Sequence, residues 1–111
     1  MEKIGWDDFL KVDMRSGTIV RAEPFPEARK AAWKLWVDFG ELGVLKSSAQ
    51  ITTYYEPSTL IGLQVIAVVN FPVKQVGPFL SECLILGIPD ETGKVVLLQP
   101  ERAVKNGLKI A

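Results

Sequence analysis

An all-β barrel of five strands is the fold class that the 111-residue sequence predicts, and three observations predict it. Apolar and polar residues alternate over short runs rich in β-branched and aromatic types. Glycine and proline punctuate those runs with turn signals. One long strand carries an internal glycine where its alternation changes parity, the mark of a strand that bends to serve two sheets. Apolar residues are 48% of the chain, enough to bury a core in a single domain over residues 1–111 and too many for a disordered chain.

In chain order, Trp6, Phe9, Leu10 and Val12 have the i, i+3, i+4 spacing of a short helix with acids at its start, expected to lid the core. Residues Asp13 to Glu23 read as a strand in which Ile19 has the opposite parity to Val12 and Met14, so a bulge is expected at Gly17. Pro24 to Ala31 breaks it with a loop carrying adjacent cations, Arg29 and Lys30. Trp33, Leu35, Val37 and Phe39 then alternate with Lys34, Trp36 and Asp38, which turns the odd positions inward and leaves Trp36 on the outer face. Gly40–Gly43 makes a turn, and Val44 to Ile51 returns with Leu45, Ala49 and Ile51 inward and Lys46, Ser48 and Gln50 outward. Glu56 to Gly62 reads as one or two helical turns started by Pro57 and stopped by glycine. Gln64 to Asn70 and Cys83 to Gly87 are buried strands, and Pro89–Gly93 turns the chain into a last strand at Val95–Leu98. A tail follows, with a turn at Asn106–Gly107 and an apolar end at Leu108 and Ile110 that needs cover.

Three strands, a short helix and two more strands, with an over-long first strand, are the order of an OB-fold Greek-key barrel, here with an extra C-terminal hairpin. That fold binds ligands on strands two and three together with the loops joining strands one to two and four to five. Those pieces bring Arg29, Lys30, Lys34, Trp36, Lys46, Ser48, Gln50 and Lys74 onto one surface. The loop from Asn70 to Glu82 adds Asn70, Ser81 and Glu82 as hydrogen-bonding groups and Phe71, Val76 and Phe79 as apolar ones, with its prolines expected to hold it out of regular pairing. Phe71 and Phe79 either meet a ligand or fold back onto the barrel; the sequence leaves both open.

Thirteen basic and thirteen acidic residues cancel, so the chain does not grip nucleic acid by net charge, although local patches remain available. Histidine is absent and Cys83 is the lone cysteine, which removes the commonest general base, the commonest metal ligand and any internal disulfide. With no metal, cofactor or catalytic constellation in view, a binding protein is expected rather than an enzyme. No apolar run is long enough to span a bilayer and no signal-peptide core opens the chain, so it is expected in the cytoplasm, away from membranes.

Six runs together resemble the CsaA proteins of the tRNA-binding-domain superfamily: Asp13–Ile19 (DMRSGTI), Glu23–Lys30 (EPFPEARK), Lys46–Ile51 (KSSAQI), Val68–Val76 (VVNFPVKQV), Phe79–Glu82 (FLSE) and Leu86–Asp90 (LGIPD). The resemblance implies a non-catalytic, cytoplasmic OB-fold homodimer that holds unfolded or export-destined precursor polypeptides, on a fold that also binds the outer corner of tRNA. By position it places nucleic-acid contacts at Asn70 to Lys74, Ser81, Glu82, Lys34, Lys46, Ser48 and Gln50. Superfamily members that bind tRNA firmly carry more cations around Lys74, whereas this loop has Pro72, Val73, Val76 and Pro78. Few cations predict weak, salt-sensitive tRNA binding. The expectation is therefore a chaperone first, with Trp36, Phe71, Val76 and Phe79 receiving peptide, and a tRNA binder as the alternative use of the same face. Trp6, Phe9, Trp36, Leu108 and Ile110 are the residues expected to find cover in a dimer.

Overall fold

The computed structural model describes residues 1–111. In chain order the elements are α1 (Trp6–Leu10), β1 (Met14–Pro24), β2 (Trp33–Asp38), a 3-10 turn at Gly40–Leu42, β3 (Val44–Ala49), α2 (Pro57–Leu60), β4 (Gln64–Val68), β5 (Lys74–Val76), β6 (Phe79–Ser81), β7 (Leu84–Ile85), β8 (Gly87–Pro89) and β9 (Val95–Leu97). Five strands form one antiparallel sheet in the order β3-β2-β1-β4-β7. The sheet curls until its ends meet: the amides of Glu82 and Cys83 both donate to the Lys46 carbonyl, at 2.7 and 3.2 Å. The result is the nearly closed, OB-like barrel that the sequence predicts, with β8 and β9 as the extra hairpin.

Alternation sets the core. Ile19, Leu35, Val37, Phe39 and Val65 are fully buried inside the barrel and Leu60 of α2 closes one end; each such side chain is worth about 1.5–3 kcal/mol in apolar surface removed from water. The parity read along β2 and β3 holds, with Ser47 also buried between Leu45 and Ala49.

The bulge in β1 lies elsewhere than expected. Register slips between Ile19 and Arg21, so Val20 is the extra, exposed residue. Gly17 answers a packing demand instead, since a Cβ there would sit 2.7 Å from Val37 and 2.8 Å from the Phe39 ring. The long strand serves two neighbours, β4 along Met14–Thr18 and β2 along Thr18–Pro24 across the kink.

Two terminal expectations need correction. Nothing in α1 is buried, and its stacked Trp6 and Phe9 rings, 5.2 Å apart, leave Trp6 66% exposed, so the helix does not lid the core. The tail, by contrast, has its main chain paired within its own chain while Leu108 stays 48% exposed. It runs along the edge of β1 that β2 has left: Gly107 and Ile110 donate to the carbonyls of Ser16 and Met14, and Ser16 donates to that of Leu108. Gly107 has φ +85° and its Cα faces the Phe39 carbonyl so closely that no side chain fits.

Only the first part of the segment from Asn70 to Glu82 is irregular: residues 70–73, with Phe71 and Pro72, join no strand, and the rest folds into its own hairpin, β5 against β6, pairing Lys74 with Ser81 and Val76 with Phe79. The turn is Gly77-Pro78, with φ +57° at the glycine, and a positive φ at the first of two loop residues suits the twist of the flanking strands. Pro78 thus occupies the turn rather than preventing the pairing, while Pro72 lies in the unpaired stretch that keeps Phe71 out of the hairpin.

Candidate nucleic-acid interface

Register across four strands builds the face. Lys34 lies directly opposite Ser48 on β2 and β3, and Ser81 lies opposite Lys74 on β6 and β5. The Ser48 amide donates to the Ser81 hydroxyl at 3.1 Å, joining the two pairs into one row, Lys34–Ser48–Ser81–Lys74. One pair further along, Trp36 faces Lys46, whose amide donates to the Glu82 carboxylate at 2.9 Å. Directly opposed residues share a face, so Lys34, Trp36, Lys46 and Ser48 emerge on one side as parity requires.

A small aromatic core lies under the cations. Phe79 packs edge-on against Phe25 (5.5 Å) and Trp36 (5.8 Å), and Ala32 fills the corner. The ammonium groups of Lys46 and Lys34 stand 5.3 and 5.9 Å from the centre of the Phe79 ring, and the Arg21 guanidinium covers Trp36 at 4.3 Å. Such contacts contribute roughly 0.5–1 kcal/mol each at exposed sites. They hold the charges above a fixed apolar floor. Phe79 is only 8% exposed and Trp36 is half-buried, so neither presents the open aromatic surface that the sequence suggested. Of the two loop phenylalanines, Phe79 folds back and Phe71 stays out, 52% exposed.

Beside this floor a groove of about 950 Å³ runs between the Pro24–Ala32 loop, the end of β3 and the β5–β6 hairpin. Nine of the fourteen residues singled out from the sequence line it: Arg29, Lys30, Ser48, Gln50, Phe71, Lys74, Val76, Ser81 and Glu82. Lys34, Trp36, Lys46 and Phe79 form the adjoining aromatic and cationic surface. Asn70 belongs to neither. Its side chain accepts from the Asp13 amide (3.0 Å) and donates to the Lys11 carbonyl (2.7 Å), tying the start of the loop to the start of β1. Glu27 lines the groove without having been singled out, and its place two residues before Arg29 in the same loop is the only signal for it.

Charge at the groove is locally unbalanced although the chain is neutral. Lys11, Arg15, Arg21, Lys34 and Arg102 have carboxylate partners. Of the other eight basic residues, Arg29, Lys30, Lys46 and Lys74 belong to this face. The acids nearby are Glu27 and Glu82, and Glu82 already accepts a main-chain bond. Cys83, at the groove floor, is no nucleophile: burial first, and the Glu82 charge second, push its thiol up to about 12. No group of three or more histidine, cysteine or acidic side chains is arranged to hold a metal. The arrangement can place cations on phosphates, and hydroxyl and amide groups on sugar edges.

The family described as "Putative tRNA binding domain" matches residues 14–109. Among solved structures, the chaperone CsaA of Bacillus anthracis str. Ames is 54% identical, with a TM-score of 0.94 over 99% of this chain and 100% of that one. The chain belongs to the CsaA family of tRNA-binding domains. A second member, the CsaA chaperone protein of Picrophilus torridus, is 46% identical with a TM-score of 0.92, over 98% of this chain and 100% of that one. The CsaA-family chain is also similar in sequence to part of larger proteins: a methionine–tRNA ligase of Sorangium cellulosum (strain So ce56) is 41% identical over 104 residues, 94% of this chain but 15% of the ligase. The chain thus spans about a sixth of the length of the curated relatives it matches.

Proposed function

We propose that the chain is a non-catalytic, cytoplasmic tRNA-binding module that grips the RNA backbone with the groove face. The observation that carries this reading is the row Lys34–Ser48–Ser81–Lys74, set beside a groove whose cations lack acid partners. Arg29, Lys30, Lys46 and Lys74 reach phosphates, while Ser48, Ser81 and Gln50 meet 2′-hydroxyls, the groups that distinguish RNA from DNA. With about four phosphate contacts, affinity falls by roughly two orders of magnitude between about 50 and 200 mM salt. Titration of bulk tRNA across that range, with Lys74→Ala alongside, tests it; no binding by the wild type at low salt removes the reading.

A second reading has its own support. Phe71 and Leu84 line the groove and stand exposed, and Val73 and Leu80, also exposed, adjoin groove residues in the chain, an apolar rim suited to extended polypeptide. The two CsaA structures are named as chaperones. On this reading Phe71 and Val76 receive apolar segments of unfolded or export-destined chains. Suppression of a client's aggregation that is lost in Phe71→Ala and kept in Lys74→Ala supports it. The exposed apolar surface of Trp6 and Leu10 on α1, with Ile4 just before it, further supports a homodimer; sedimentation at micromolar concentration tests that.

A further inference from the structure

A second, smaller cavity of about 230 Å³ opens off the far end of the groove. Lys30, Gln50, Ile51 and Val95 line both spaces, so the two adjoin. Its own walls are Thr52 and Thr53, from the segment after β3, and Gly93 and Lys94, from the turn of the β8–β9 hairpin. Nine residues line it and none is acidic.

Asp90 of that turn accepts from the Thr92 amide (2.9 Å), the Thr92 hydroxyl (2.6 Å), the Lys94 amide (3.1 Å) and the Tyr54 hydroxyl. These bonds clamp Tyr54, and with it the Thr52–Thr53 wall, to the hairpin turn. Neither Asp90 nor Glu91 of the turn forms an ion pair with Lys94, and Lys94 and Lys30 both line the cavity without a carboxylate within ion-pair distance. Gly93 adds access: at φ +81° nothing lies within 4 Å of where a side chain would begin, so a ligand can approach the main chain.

We propose that this cavity is a phosphate subsite, with Lys94 and Lys30 supplying charge and the Thr52 and Thr53 hydroxyls supplying hydrogen bonds, and that it extends the RNA track from the barrel onto the C-terminal hairpin. The proposal rests on the tRNA reading. It adds that the hairpin is part of the binding surface. Two lysines and two hydroxyls without an acid fit a phosphate oxygen cluster, whereas an apolar peptide segment finds little there to bury against.

The test uses the full chain with two probes, bulk tRNA and inorganic phosphate. Lys94→Ala should weaken tRNA binding three- to tenfold and reduce the slope of log affinity against log salt by about one. Lys94→Arg should restore both, and Thr53→Val should weaken binding without changing the slope. Lys105→Ala, which removes an equal charge outside both cavities, should leave the slope alone. The unfolding midpoint should be unchanged throughout. In the other arm, inorganic phosphate should shift the amide resonances of Thr52, Thr53 and Gly93 in the wild type and not in Lys94→Ala. Equal tRNA affinity and slope for wild type and Lys94→Ala overturns the subsite while leaving the main groove standing. Amide shifts with inorganic phosphate but equal tRNA binding overturns the RNA assignment in favour of the free ion. Absence of tRNA binding by the wild type is the separate result that removes the reading beneath it.

Discussion

The Ser48 amide and the Ser81 hydroxyl meet at 3.1 Å, and this bond, with those between Lys46 and Glu82, ties a strand of the barrel to a hairpin that lies outside the main sheet. Because Ser48 faces Lys34 and Ser81 faces Lys74, the bond also helps to set the distance between cations forty residues apart in sequence. Ser81→Ala leaves the Ser48 donor without its acceptor and should cost about 1 kcal/mol in urea unfolding. It should also weaken tRNA binding although no charge is removed. Ser81→Thr, which keeps the oxygen, should recover both.

Gly17 is needed for space. An added methyl would meet Val37 and Phe39, both fully buried, so neither can swing into solvent. Gly17→Ala should therefore destabilise by about 1–3 kcal/mol, the usual cost of overpacking, measured as a lowered denaturation midpoint with an unchanged slope.

Acid sensitivity should be traceable to the hairpin turn. Hydrogen bonds from Thr92 first and Tyr54 second hold the Asp90 carboxyl down to about 2, against about 3.9 in an unfolded chain. A depressed carboxylate stabilises the fold above the unfolded value, and that contribution disappears as pH falls from about 4 toward 2. Asp13, lowered chiefly by its bond to Arg15, acts in the same direction. Thermal midpoints recorded across this window should fall less steeply for Asp90→Asn than for the wild type, with the residual slope belonging to Asp13.

Cys83 should be inert while the chain is folded. With its thiol pushed up to about 12 by burial, almost no thiolate exists near pH 8. Alkylation by iodoacetamide at that pH should proceed slowly in buffer and at the rate of a free thiol in denaturant.

Much of this was legible in the residues because period-two alternation fixes which side chains share a face, as with Lys34 and Trp36 against Leu35 and Val37. What alternation cannot convey is occupancy. Asn70 reads as a polar loop residue free to contact a ligand, yet both ends of its amide are engaged by Asp13 and Lys11, partners 57 and 59 residues away. Trp36 reads as exposed because its strand places it outward, and Phe79 as a loop residue with either fate open; the folding back of the β5–β6 hairpin sets Phe79 against Trp36 and half-buries the tryptophan. That hairpin did have a local signal, Gly77-Pro78 between Val76 and Phe79, which the weight given to the prolines hid. Gly17 drew the bulge assignment from Val20 because a glycine in a strand serves either a kink or a close approach, and the choice depends on Phe39, far along the chain.

The central claim is that unpaired cations of the groove face bind RNA phosphates. Its most direct test is fluorescence anisotropy of labelled bulk tRNA, titrated over a salt series, for the wild type and for a Lys46→Ala/Lys74→Ala double variant. The account predicts a wild-type slope of about −3 or steeper and a slope shallower by about two in the variant. Identical slopes for the two proteins would place the RNA on some other surface and contradict it.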